Sequence, residues 1–142
     1  MNAASLIKIS DAVALGLHTM YYLSTHMDKL SSTKEIASTF SISENHLAKI
    51  LQRLVKLGLV QSIRGPKGGF SLAKAGSEIT LLDIFQAIEG PLEVADCLLS
   101  KPLCGGGHNC VLFSGLLEDL NTQIKDYMEK KKLSDLKNVF DS

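Results

Sequence analysis

From Ser31 to Gly58 the chain reads SSTKEIASTFSISENHLAKILQRLVKLG, and this stretch limits the possible folds more than any other. Ser32 stands three residues before Glu35, the spacing of a capping box in which each side chain satisfies the other residue's free backbone amide. The spacing predicts a short helix to about Phe40. SIS follows as a tight turn, and Ser43 is placed to cap a second helix. There Leu47, Ile50, Leu51, Leu54 and Leu57 step by three and four, so one stripe faces a core. The opposite face carries Asn45, His46, Lys49, Arg53 and Lys56, and Gly58 is a natural stop. Two short helices joined by such a turn, the second amphipathic and basic, make a helix-turn-helix. Its second helix enters a major groove by its N-terminal half while its leucines hold it to the body.

The next residues, LVQSIRGPKGGFSLA, place apolar segments on both sides of RGPKGG. This reads as a two-stranded hairpin with a glycine-rich tip, made basic by Arg64 and Lys67. Directly after a basic helix, such a hairpin is the wing of a winged helix. Charge supports the reading. The formal net charge is zero, yet Asn45 to Ser77 holds six basic residues and no acidic one. A local basic field is the footprint of a polyanion, here double-stranded DNA. A solvated basic surface would carry the same charges; their position on a recognition helix and wing favours DNA. There is no paired catalytic carboxylate, no nucleophile–base constellation and no P-loop, because RGPKGG lacks the strand-to-helix setting a P-loop requires. An enzyme is not expected.

Elsewhere, residues 11–26 read as a helix capped by Ser10, with Val13, Leu17, Met20 and Tyr21 at helical spacing. Thr80 is placed to cap LLDIFQAIEG, which ends at Gly90. Far along the chain, Leu112, Leu116, Leu120, Ile124 and Tyr127 form one stripe on a long helix. A homodimer interface would bury it, and paired half-sites suit a twofold DNA reader; packing back onto the helix-turn-helix is the competing arrangement. The tail LSDLKNVFDS adds a last short turn. The expected fold class is mainly α with a small β-hairpin wing. The expected organisation is a winged helix-turn-helix over 1–90, a cysteine-containing loop over 91–110, and a dimerisation helix with its tail over 111–142. No apolar run approaches the ~20 residues that span a bilayer, and the N-terminus does not read as a signal peptide. A cytoplasmic protein is expected.

All three cysteines lie in CLLSKPLCGGGHNC, as Cys97, Cys104 and Cys110. In a reducing compartment, clustered thiols bind metal or sense redox state more often than they form staples. There is no CxxC pair of the kind structural zinc sites use, and the spacing departs from ferredoxin runs. Wide spacing suits a loop wrapped around a larger object such as an iron–sulfur cluster. Gly105, Gly106 and Gly107 would let backbone amides approach its sulfides. Spacing alone leaves a cluster, zinc and redox-active thiols open.

The wing RGPKGGFSLA, the segment EITLLDIFQAIEGP and three cysteines ahead of a long helix together resemble the Rrf-two family of bacterial regulators, over about Leu6 to Leu136. The iron–sulfur members are IscR-like and NsrR-like. The resemblance implies a homodimeric winged-helix transcription regulator, chiefly a repressor. In that reading Cys97, Cys104 and Cys110 hold a cluster, [2Fe-2S] ahead of [4Fe-4S], whose state tunes operator affinity. The fourth ligand departs from the pattern. IscR-like members place a histidine where this chain has Phe113, and NsrR-like members place an aspartate where it has Ala14. Other members use a histidine one turn later, and His18 matches it. His108 is the second choice, and Asp11 a third if the register shifts. The glutamate that helps some IscR-like members discriminate two classes of site is replaced by Ala48. Ser43, Asn45, His46, Lys49 and Arg53 are expected at the major groove or its phosphates, with Asn45 and Arg53 as candidate base readers. Arg64 and Lys67 are expected at the minor groove or backbone. The alternative is a cluster-free regulator sensing by thiol oxidation, zinc or a protein partner.

Overall fold

The computed structural model describes residues 9–92 and 114–136. Among these residues five α-helices and one hairpin follow in order: α1 (Asp11–Thr25), α2 (Thr33–Phe40), α3 (Glu44–Lys56), β1 (Val60–Ile63), β2 (Gly69–Leu72), α4 (Leu81–Glu89) and α5 (Ser114–Lys130), with short 3-10 turns at Gly76–Glu78 and Leu133–Leu136. This is the mainly helical winged architecture expected.

Local chemistry sets the helix ends. Ser10, Ser32, Ser43 and Thr80 each accept a hydrogen bond from a first-turn backbone amide, as N-caps do. The reciprocal half of the capping box expected at Ser32 is replaced: the Glu35 carboxylate meets Lys29 Nζ at 3.3 Å. The complete box is at Thr80, where the Asp83 carboxylate returns to the Thr80 amide at 2.9 Å. α3 ends in a Schellman motif. Gly58 N–H donates to the Val55 carbonyl and Leu59 N–H to the Leu54 carbonyl, both at 3.0 Å, with Gly58 at φ 76°. α2 closes by the same two bonds, Ser41 N–H to Ser38 and Ile42 N–H to Ala37. There the left-handed position belongs to Ser41 at φ 55°. That one residue reverses the chain between the two helices of the helix-turn-helix.

The hairpin pairs Val60 with Leu72 and Ile63 with Gly69. Val60 and Leu72 are buried at its base while Gln61 to Lys67 stand exposed. Its tip is a turn in which Gly68 N–H donates to the Gly65 carbonyl at 2.9 Å, with Pro66 at the second position, where its fixed φ suits the bend. A Cβ on Gly68 would lie 2.0 Å from the Ile63 carbonyl oxygen, so only glycine closes this tip. Ser31 forms a bridge with Phe70 through bonds of 3.0 and 2.8 Å, fastening the wing to the entrance of α2.

One core joins these elements: Val13, Met20 and Leu23 from α1, Ile36 from α2, the α3 leucines and Ile50, Val60 and Leu72 from the wing, and Ile79, Ile84, Phe85 and Ile88 around α4. Two expectations need correcting. The buried face of α1 is Val13, Gly16, Thr19, Met20 and Leu23; Leu17 and Tyr21 are half-buried beside it. The helix is turned because Gly16 admits Ile88 of α4, whose Cγ1 lies 3.0 Å from where a Cβ would stand. Thr19 can be buried because its hydroxyl donates to the Leu15 carbonyl at 2.7 Å. On α5, Leu120 and Ile124 are half-buried, but Tyr127 is 60% exposed and Met128 faces the core instead. Leu112 lies outside the described residues, as does the side chain of Leu116.

The tail is more than a last turn. Leu81 N–H donates to the Lys131 carbonyl at 3.0 Å and Leu133 N–H to the Ile79 carbonyl at 2.8 Å. These bonds seat Leu133 in the same core, 1% exposed. The end of the expected dimerisation segment is therefore part of the winged-helix body.

Candidate nucleic-acid interface

α3 is anchored by Leu47, Ile50, Leu51 and Leu54, all buried. The helical period then turns Asn45, Lys49, Gln52 and Lys56 to the opposite side, and all four are exposed. The Ser43 hydroxyl oxygen accepts from His46 N–H at 3.1 Å. That bond leaves its O–H as a donor at the mouth of the helix, where the dipole also favours an anion. His46 is exposed beside it. Gln52 was absent from the sequence-derived set. Its place between Lys49 and Lys56 was available from the period alone, and its amide can pair with the N6/N7 edge of adenine. Arg64 and Lys67 are exposed at the wing tip. On the outer face of the wing the Gln61 amide donates to Ser71 Oγ at 2.9 Å, holding the two strands in register.

Arg53 is placed differently from its neighbours. It sits at the edge of the exposed face, and its Nη1 donates to the Ile88 carbonyl of α4 at 3.0 Å. A guanidinium on the last carbonyls of a helix is favoured by the helix dipole. Arg53 is thus turned towards the protein rather than held out as a base reader.

Cys97, Cys104, Cys110 and His108 lie outside the described residues. His18 is described, and exposed, on α1. Its Nδ1 lies 2.7 Å from the Ala14 carbonyl, which can only accept, so Nδ1 is the donor in that bond. A backbone carbonyl holding one ring nitrogen is also the arrangement of histidines that bind a metal through the other. The ring also meets Phe40 edge-on, with centroids 6.2 Å apart. Asp11 is exposed in the first turn of α1. Among the described residues no three histidine, cysteine or carboxylate side chains converge on a point, and no helix is long and apolar enough to cross a membrane.

Comparison with known proteins agrees with this architecture. Residues 9–138 match the family model Rrf2, described as an iron-dependent transcriptional regulator. The chain belongs to the Rrf2 family. The regulator NsrR of Halalkalibacterium halodurans is 35% identical over 126 residues, covering 84% of this chain and 83% of that one. Among solved structures, CymR of B. subtilis, described as the global cysteine regulator, aligns with a TM-score of 0.76 at 30% identity. That alignment covers 95% of this chain and 99% of CymR. IscR of T. potens aligns with a TM-score of 0.70 at 26% identity, over 92% and 85%. This Rrf2 member is a helix-turn-helix transcriptional regulator, and its relatives are regulators rather than enzymes.

Proposed function

We propose that this Rrf2 regulator binds operator DNA as a homodimer and that an iron–sulfur cluster held by Cys97, Cys104 and Cys110 sets its affinity. The carrying observation is the basic α3 face and wing built on the same core as the helix that leads to the cysteines. Ser43, Asn45, His46, Lys49 and Gln52 meet the major groove, and Arg64 and Lys67 reach the minor groove or backbone. Binding of this kind releases counterions and is strongly salt-dependent. On the described part of α5 no side chain is fully buried, which suits a helix whose apolar side is shared with a second copy.

The chemistry of the ligand set suits a cluster: three thiolates, with His18 Nε2 as fourth ligand and His108 as the alternative. When bound, the cluster supplies a group whose oxidation or loss is sensitive to redox state, nitric oxide or iron supply. The residues themselves bias a two-state dimer through different contacts in each state. The similarity to CymR favours a second reading, in which the same thiols act without a metal.

The test is anaerobic purification from iron-supplemented cells, with a visible spectrum and iron and sulfide analysis. Binding to a duplex selected by the protein from a random pool is then measured with and without Cys104→Ala. Near-equal iron and sulfide, lost in the variant together with a change in affinity, is the expected result. A metal-free protein whose affinity responds to thiol oxidation establishes the second reading. Unchanged affinity under every redox condition refutes sensing by these cysteines.

A further inference from the structure

The last turn of α4 is gripped from three sides. The Ile88 carbonyl accepts from Arg53 of the recognition helix at 3.0 Å. The Ile88 side chain packs closely over Gly16 of α1. The next residue, Glu89, accepts a hydrogen bond from the Ser10 hydroxyl, at the N-cap of α1. The electrostatics favour all of this. A cation sits at the C-terminal end of α4, and the Glu89 carboxylate, unfavourable at the end of its own helix, lies at the positive N-terminus of α1. The chain then leaves through Gly90, at φ 84°, and Cys97 follows seven residues later.

Two adjacent residues therefore tie the start of the cysteine segment to the recognition helix and to α1. Arg53 is exposed, so nothing in the core requires a guanidinium at this position. Its planar fork can hold a carbonyl and keep the helix at a set angle.

We propose that the last turn of α4 is the joint through which the state of the cysteine segment reaches the recognition helix, with Arg53 as the positioning residue on the α3 side. This rests on the sensing role proposed for the cysteines. When the segment changes state, the Ile88 carbonyl shifts, and Arg53 carries the shift into the angle of α3. Such coupling is a free energy between two sites and is read as non-additivity.

The experiment is a double-mutant cycle on the selected duplex. Wild type, Cys104→Ala, Arg53→Gln and the double variant are compared by fluorescence anisotropy at several salt concentrations, with Arg53→Lys alongside. The expected result is that Cys104→Ala changes affinity strongly when Arg53 is present and by less than about twofold when it is Gln. The salt slope stays unchanged in Arg53→Gln, because the charge is on Ile88 rather than on a phosphate. Arg53→Lys, which keeps the charge and one donor, restores part of the coupling. Equal effects of Cys104→Ala in both backgrounds overturn the proposal. So does a salt slope lowered by about 1 in Arg53→Gln, the signature of a lost phosphate contact. If Cys104→Ala has no effect in the wild-type background under any redox condition, the sensing role itself fails, and the relay with it.

Discussion

Leu133 gives a sharp test of how the C-terminal segment is used. It follows the long helix, in a stretch whose sequence resembles a solvated tail, yet it is 1% exposed in the core of the DNA-reading body. Leu133→Ala removes three carbons, worth about 2.4 kcal/mol at ~0.8 kcal/mol each. Partial collapse around the hole adds a cavity term, bringing the loss to about 3–4 kcal/mol. Collapse is restricted because Leu133 N–H is held by Ile79 and the bridge from Thr80 to Lys132 fixes the backbone. For a chain of this length the melting temperature should fall by about 10 °C. Urea unfolding followed by far-ultraviolet circular dichroism, at one fixed protein concentration, measures the change. Leu133→Met, which conserves volume, should lose less than about 1.5 kcal/mol. A loss under about 1 kcal/mol for Leu133→Ala would refute the reasoning, because it would mean that the tail does not complete the core.

Ser41→Gly should stabilise the protein by about 0.5–1 kcal/mol, since relief of the left-handed strain of about 1–2 kcal/mol outweighs the extra freedom of the unfolded chain; the same urea titration checks the sign. Gly68→Ala should weaken operator binding at least tenfold, or about 1.4 kcal/mol, with little change in melting temperature. The clash with the Ile63 carbonyl distorts only the exposed tip, and anisotropy titration beside a thermal melt separates the two effects. Arg64→Ala and Lys67→Ala should each lower the salt slope of DNA binding by about 1 if each neutralises a phosphate, and a series of titrations at increasing salt measures it.

The helix-turn-helix was legible because its signals are local. Serine caps, a leucine period and Gly58 each act within a few residues, and they appear in the structure at their expected places except for Leu57, which stands 53% exposed at the end of α3 instead of in the core stripe. The wing was legible for the same reason, since its turn and register are set between Val60 and Leu72. What escaped depends on distant partners. The face of α1 could not be read from apolar residues because Gly16 and Thr19 complete it, one by letting Ile88 approach and the other by bonding its own helix. The bridge from Ser31 to Phe70 joins segments far apart in sequence. Arg53 looked like its basic neighbours until Ile88 was placed beside it. For the candidate site, the exposed polar face of α3 follows from its period, and Gln52 was recoverable from it. A fourth ligand for the proposed cluster was not, because three-dimensional convergence cannot be read from spacing when the candidates lie on separate segments.

The seat of Leu133 also bears on the order of events during synthesis. The chain emerges from its N-terminus, so the helix-turn-helix and wing are made first, but their shared core lacks Leu133 until translation has passed residue 133. The cysteine segment lies between them in the chain and has always been translated by then. A nascent chain thus cannot complete the winged-helix body before the cysteine segment has been made, and premature termination ahead of residue 133 leaves an incomplete core.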